Sequence, residues 1–323
     1  MTGGAGFIGS HVVDRLILDG HQPRIFDLVA SPYHAPGAVE TRLGDLSDPE
    51  AAADAVAGCD AVMHLAAVAD VNEVVADPGR AERVNVRGTF VFLEAARSAK
   101  VERFLYASTV WVYGNAPGAE PLDEETPLVL PAHLYTATKL AGEMYCRSYG
   151  SLYGLSSTIL RFGIPYGPRA RPAAVVPSFI ARARSGEPLT IAGDGSQSRQ
   201  FVYVEDLARG MVAALAPAGA GGVYNLVGEE SVSVRRIADT VCELVSQVPI
   251  VHGPERPADL RIGIVSGSRA RAELSWNPTT GFAAGVRRYI DWLTVTSGSP
   301  VASAASITEG SASAVLRQES AEL

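Results

Sequence analysis

Cysteine, charge and long apolar runs are all scarce in this chain, and each scarcity excludes something. The three cysteines, Cys59, Cys146 and Cys242, are scattered and form no CxxC pair. This argues against a disulfide framework and a cysteine metal site, so no metal is expected. It fits buried thiols in a reducing, cytoplasmic compartment. Charged residues make up 19% of the sequence and leave a formal net charge of −8. No concentrated basic face is available for nucleic acid. No apolar run approaches the ~20 residues that a membrane helix needs, so no membrane span is expected. Aromatic residues are absent from "TVTSGSPVASAASITEGSASAV", which begins at Thr294. Rich in Ser, Ala and Gly, it cannot bury enough apolar area to offset its ordering entropy. Residues 294–323 are therefore expected to form a flexible tail.

What is plentiful is apolar sequence, 47% of 323 residues, together with 32 glycines. That is enough for one large α/β unit or two lobes sharing a cleft. Apolar positions recur at helical spacing over residues 7–19, with Gly20 as a stop signal. "RIF" before Asp27 reads as a short strand, 51–58 as a helix and "AVMHLAA" (61–67) as a strand. The alternation continues with a helix at 81–99, a strand at 103–108, a helix at 134–153 and a strand at 156–163. Such regularity predicts a doubly wound parallel sheet with helices on both faces. We expect a dinucleotide-binding domain over residues 1–162 and a smaller α/β substrate domain over 163–293. Segments near 200–228 are expected to return to the first domain.

The chain opens "MTGGAGFIGSHVV". Gly3, Gly6 and Gly9 are spaced by threes, and Gly4, Gly6 and Gly9 satisfy GxGxxG. This spacing allows a tight turn, close approach of a pyrophosphate and close packing of helix on strand. Phe7 and Ile8 would open the helix whose first N–H groups face the phosphates. Asp27 ends the next strand at about the ~20-residue distance expected of a carboxylate that grips an adenosine ribose. No arginine follows it, which favours NAD over NADP. A buried strand of ~5–6 residues normally precedes such a loop. Only Met1 and Thr2 stand there, so the first strand reads as truncated. The expectation is an upstream start, with Met1 translated from a GTG valine codon; an in-frame stop immediately upstream would overturn it.

"YTATK" sets Tyr135 and Lys139 four residues apart, on one face of a helix. A nearby ammonium is expected to lower the phenol below its usual ~10. Tyr135 could then take a proton from a substrate alcohol.

"TGGAGFIG", "HLAA", "YASTVWVYG", "YTATK", "YGPR", "GDGSQSRQFVYVEDLARG" and "ELSWNP" follow in this order. Together they resemble the extended short-chain dehydrogenase/reductases, specifically the nucleotide-sugar epimerases and dehydratases typified by UDP-glucose 4-epimerase. The resemblance implies tightly held NAD and a nucleoside-diphosphate sugar substrate. It further implies Tyr135 as base, Lys139 as its electrostatic partner and ribose contact, and Thr109 as the hydroxyl on the sugar, with Ser108 as competitor. Asp45 and Leu46 match the adenine side. Ala66, Ala67, Asn85 and Ser108 match the cofactor wall. Arg199 and Arg256 match the diphosphate clamp, a task suited to a forked guanidinium, and Asp259 the nucleotide ribose. Helices 81–99 and 134–153 match a homodimer interface.

Departures from the family pattern narrow the reaction. Its dehydratases carry an Asp–Glu pair after the catalytic Thr, where this chain has Val110 and Trp111. Neither can move a proton, so elimination of water is disfavoured and epimerisation at C4 through a transient 4-ketone is expected. The alternatives are a 4-ketoreductase or an atypical dehydratase and, outside enzymes, an NAD-sensing protein. Ile164 replaces a usual Asn, Val74 a usual hydroxyl residue, and Gly263 would leave room for an acyl group at C2 of the sugar.

Overall fold

The computed structural model describes residues 1–114, 121–131, 133–255 and 262–296. The first half runs α1 (Phe7–Leu18), β1 (Arg24–Asp27), β2 (Glu40–Leu43), α2 (Pro49–Val56), β3 (Ala61–His64), α3 (Val71–Ala76), α4 (Pro78–Glu82), α5 (Gly88–Ser98), β4 (Arg103–Thr109), α6 (Leu134–Tyr153) and β5 (Ser156–Phe162). The second half runs β6 (Ile164–Tyr166), α7 (Val175–Arg184), β7 (Leu189–Ala192), β8 (Ser198–Tyr203), α8 (Val204–Ala213), β9 (Val223–Leu226), β10 (Ser231–Ser233), α9 (Val234–Leu244), β11 (Ile250–Gly253), α10 (Ser268–Leu274) and α11 (Phe282–Thr296).

The main sheet is parallel throughout. β1 pairs with β2, and β3–β4–β5–β9 form the other side. Thr2 lies between them and bridges both Phe26 and His64. Its N–H donates to Met63 O at 3.0 Å, while the Phe26 N–H donates to Met1 O at 2.8 Å. The central position is thus held by Met1 and Thr2, and the sheet reads β2–β1–Thr2–β3–β4–β5–β9. α1 and α8 cover one face through Val12, Leu16, Leu207 and Met211. On the other face α2, α5 and α6 bury Ala52, Phe92 and Cys146. Because both faces are covered, β4 and β5 are buried along almost their whole length, as strands of parallel sheets usually are.

The elements differ from the sequence expectation in several places. The single helix expected over 81–99 is broken by a π turn at Arg83–Arg87, between α4 and α5. The exposed strand β2, "ETRL", has no apolar alternation to betray it and forms through backbone pairing at the sheet edge. Beyond Gly163, β8 pairs antiparallel with β10 and parallel with β6, and β7 pairs with β11. These small sheets, with α7, α9 and α11, enclose an apolar core that includes Tyr166, Phe179, Ile180, Phe201 and Phe282. β9 and α8 rejoin the main sheet. Helix α11 continues through Thr296, three residues into the segment expected to be a tail; residues 297–323 lie outside the described residues.

Candidate active site

The three spaced glycines serve different ends. Gly3 has φ +72°, and a Cβ there would stand 2.8 Å from Ala66 N. A Cβ on Gly9 would meet Gly3 O at 2.0 Å. Both are required by the fold itself. Gly6 is not: its nearest neighbour would be Gly3 O at an ordinary 3.4 Å, so its bare surface leaves the mouth of the loop clear. No side chain caps α1, whose first-turn N–H groups are therefore left for an anion. Phe7 and Ile8, half-buried, start that helix. Asp27 is tied to the same loop: its Oδ2 accepts from Ala5 N–H at 3.0 Å and its Oδ1 from Leu28 N–H at 2.8 Å. Burial pushes its carboxyl above the usual range, and the N–H donors act against that. A glycine turn, an uncapped helix start and an acid beside them suit a dinucleotide. On the adenine side, Asp45 is exposed and turns back on Ser47, while Leu46 is buried against the core.

The wall formed by "HLAA" is held by a buried polar chain. The Thr2 hydroxyl accepts from Leu65 N–H at 3.1 Å and Ala66 N–H at 3.2 Å, and lies 3.1 Å from His64 Nδ1. His64 Nε2 lies 3.1 Å from Thr89 Oγ1, which donates to Asn85 O at 2.6 Å. With Thr2 accepting twice, its own proton goes to Nδ1, so His64 is neutral with the proton on Nε2. Burial agrees, holding the His64 pKa down at about 3. Asn85, inside the π turn, accepts from Val68 N–H at 2.7 Å and donates to Val68 O and Thr138 Oγ1, both at 3.0 Å. The side-chain amide of Asn85 is thus engaged within the protein and shapes the Ala66–Ala67–Val68 wall.

Tyr135 and Lys139 share one stripe of α6, as their spacing predicts. Lys139 is buried and its Nζ donates to Ala107 O at 2.9 Å, two residues before Thr109. Thr109, at the end of β4, accepts from Trp111 N–H at 3.2 Å. The expectation of a lowered Tyr135 pKa is not met. Burial pushes the phenol up to about 12, with the Arg171 guanidinium pulling against it. Lys139 is itself lowered to about 8 by burial. Ser108, expected on the cofactor wall, lies one residue before Thr109 on β4. Strand alternation turns it away from Thr109, and its Oγ donates to Glu143 Oε1 at 2.5 Å under α6.

Around Tyr135 stand Trp111 and Val74, which the sequence singled out, and His133 and Arg171, which it did not. Trp111 meets its ring edge-on with centroids 6.1 Å apart, and His133 lies at 6.2 Å. Arg171, after β6, reaches across the cleft to Asp70 at 3.0 Å. Fully buried Val74 packs with Val68, and Tyr135 lies against them. On the far side Arg199, Ile164, Val110 and Gly263 line one narrow cavity. Arg256 and Asp259 lie outside the described residues. Of the missed residues, Glu143, four residues after Lys139, and His133, two residues before Tyr135 at the N-cap of α6, had a signal in their spacing; Arg171 is brought in from the loop after β6.

Comparison with known proteins places this constellation. Residues 1–227 match the model of the NAD dependent epimerase/dehydratase family. The chain is 33% identical to a dTDP-glucose 4,6-dehydratase of Neisseria gonorrhoeae, over 90% of this chain and 94% of the relative. It is 35% identical to a UDP-glucose 4-epimerase of Mycolicibacterium smegmatis, over 90% and 97%. The crystal structure of a Thermus thermophilus UDP-glucose 4-epimerase in complex with NAD superimposes with a TM-score of 0.83, at 36% identity and 90% and 96% coverage. NAD is the cofactor. The chain belongs to the NAD-dependent epimerase/dehydratase family.

Proposed function

We propose that the protein interconverts the C4 epimers of a nucleotide sugar, a UDP-hexose or UDP-N-acetylhexosamine. The observation that carries this reading is the pair Val110–Trp111 behind Thr109, within a site that keeps Thr109, Tyr135 and Lys139. Trp111 closes on Tyr135 with a ring rather than a carboxylate. Elimination across C5 and C6 needs groups that move protons there, whereas redox at one carbon does not.

When bound, NAD supplies the acceptor and then the donor of the hydride at C4. Gly3, Gly6 and Gly9 leave its pyrophosphate room, and Asp27 takes its adenosine ribose. Tyr135 removes the proton from the C4 hydroxyl as the 4-ketone forms and returns it when the other face is reduced. Burial holds the phenol in its protonated form, so Tyr135 acts as base only where positive charge supports its phenolate, as the Lys139 ammonium and the Arg171 guanidinium do. Thr109 holds the sugar oxygen. Arg199 and, outside the described residues, Arg256 and Asp259 hold the nucleotide. We further propose a homodimer through α5 and α6, where Met144, Leu152 and Tyr153 stand exposed; light scattering at twice the chain mass would support it.

A second reading, 4,6-dehydratase, is favoured by the similarity to the dTDP-glucose 4,6-dehydratase of Neisseria gonorrhoeae. Proton NMR of the purified protein with UDP-glucose and UDP-N-acetylglucosamine in heavy water separates the two, with dTDP-glucose as a third substrate. A C4 epimer free of deuterium supports epimerisation. A 4-keto product labelled at C5 overturns it in favour of elimination.

A further inference from the structure

Beneath the catalytic stripe of α6 lies an ion pair that the proposed chemistry does not use. Ser108, Arg161 and Asn225 are register partners across β4, β5 and β9, so they form a polar row on one face of the sheet. Glu143 descends onto this row. It accepts from Ser108 Oγ at 2.5 Å, from Arg161 Nε at 3.0 Å and from Arg161 Nη2 at 2.7 Å. The guanidinium also donates to Tyr113 OH at 2.9 Å, and Tyr113 donates to Asn225 Oδ1 at 2.8 Å. The side chains of Arg161 and Glu143 are 1% and 0% exposed. Among the described residues, no buried polar atom of this network lacks a partner.

A buried pair of this kind is weak evidence of stabilisation, because desolvating two ions offsets most of their attraction and apolar residues of equal volume often do as well. Its position is more telling. Tyr135, Lys139 and Glu143 follow one another at four-residue intervals along α6. Lys139 Nζ grips Ala107 O and Glu143 grips Ser108 Oγ, two successive residues of β4, and Thr109 comes next. The titratable groups that face Lys139 are Glu143 and Cys146 on its own helix, Tyr106 on β4 and His64 on β3, with Tyr135 one turn earlier on α6 and Arg161 of β5 behind Glu143. Glu143 is the carboxylate among them.

We infer that Glu143, clamped by Arg161 and Ser108, is a positioning residue: it pins α6 to the end of β4 and is the counter-charge of the Lys139 ammonium. The inference rests on the reading of Tyr135 and Lys139 as the acid–base pair. Burial favours the neutral amine, and Cys146 and Glu143 oppose it. Because burial pushes the Cys146 thiol up and keeps it protonated, the standing negative charge is that of Glu143. Without the carboxylate, Lys139 loses its proton at lower pH and Tyr135 loses the cation that its phenolate needs.

The test uses the NAD-loaded full chain carrying 13C-labelled lysine, with the Lys139 ε-carbon followed by NMR against pH. In Glu143→Gln the Lys139 midpoint, about 8 in the native protein, should fall by about one pH unit. The alkaline limb of the C4 epimerisation rate should move down with it, with KM little changed. If the uncompensated Arg161 prevents that variant from folding, the volume-matched double variant Glu143→Met/Arg161→Met takes its place. It should show a smaller fall in the same direction, because the guanidinium that opposes the ammonium is removed with the carboxylate. A folded variant whose Lys139 midpoint stays at its native value overturns the inference. Since the midpoint is read without substrate, the test stands even if no epimer is formed.

Discussion

Under α6 the interior holds His64, Asn85, Lys139, Glu143 and Arg161, each at most 4% exposed, while the core around Tyr166 is built from Phe179, Ile180, Phe201, Val241, Phe282 and Val286. Both are closed to water. The second is held by area removed from solvent, at roughly 25 cal/mol per Å². The first forgoes part of that gain and must satisfy each polar group individually, since an unpaired buried one costs about 1–3 kcal/mol. The difference separates two tasks. Around Tyr166 the fold needs only shape and volume; under α6 it fixes the orientation and charge of the groups that meet cofactor and substrate. Cutting either region should therefore have a different signature.

The largest effect should come from Tyr135→Phe. It should lower the epimerisation rate by ~10²–10⁴-fold, the usual share of a general base, while bound NAD and the unfolding midpoint stay near native. Wild-type unfolding with near-native turnover per folded molecule would mean that Tyr135 packs rather than reacts. In the apolar core, Ile180→Ala should cost about 2–5 kcal/mol in denaturant unfolding, with activity per folded molecule preserved. An equal loss of both would show that the two regions are not separable.

Acid should find the polar core first. Burial lowers His64 to about 3 and His11 to about 4, against 6.5 for a free imidazole. The unfolded chain therefore binds more protons in this window, and their contribution to stability is complete above about 6.5 and lost as pH falls towards 3. His64→Gln should flatten that fall, leaving the part due to His11, when unfolding free energy is measured from pH 7 to pH 4. A curve of unchanged steepness would remove His64 from the account. The smallest effect belongs to the exposed bridge from Asp70 to Arg171: Asp70→Asn should shift stability by about 0.2–1 kcal/mol and less at high salt.

Much of the first half was legible because its signals are local. Helical spacing ending at Gly20, the apolar strands at 103–108 and 156–163, and the α6 pattern each depend on residues within one element. The glycine triplet and Tyr135–Lys139 were readable for the same reason: loop geometry and one helix face are matters of spacing. The hydrogen bonds of Asn85 and Ser108 were not legible, because they depend on which neighbour arrives. Val68 and Thr138 claim the amide of the first, and Glu143 claims the hydroxyl of the second. The polar, exposed strand β2 gave no periodicity to read, and the π turn follows a hydrogen-bonding pattern that apolar spacing does not encode.

By itself the sequence determined the alternation of strands and helices, the glycine cradle, the stripe carrying Tyr135 and Lys139, and the loss of carboxylates at Val110 and Trp111. These follow from side-chain identity and from the periods of helix and strand. Only the tertiary structure decided the protonation of His64, the raised phenol of Tyr135, the wall built by Asn85 and the Glu143–Arg161 clamp. Each of these depends on burial and on partners 17 to 62 residues away in the chain. The energy of an ionisable group is set by the solvent it loses and the charges it meets, and both are assigned when the chain closes on itself.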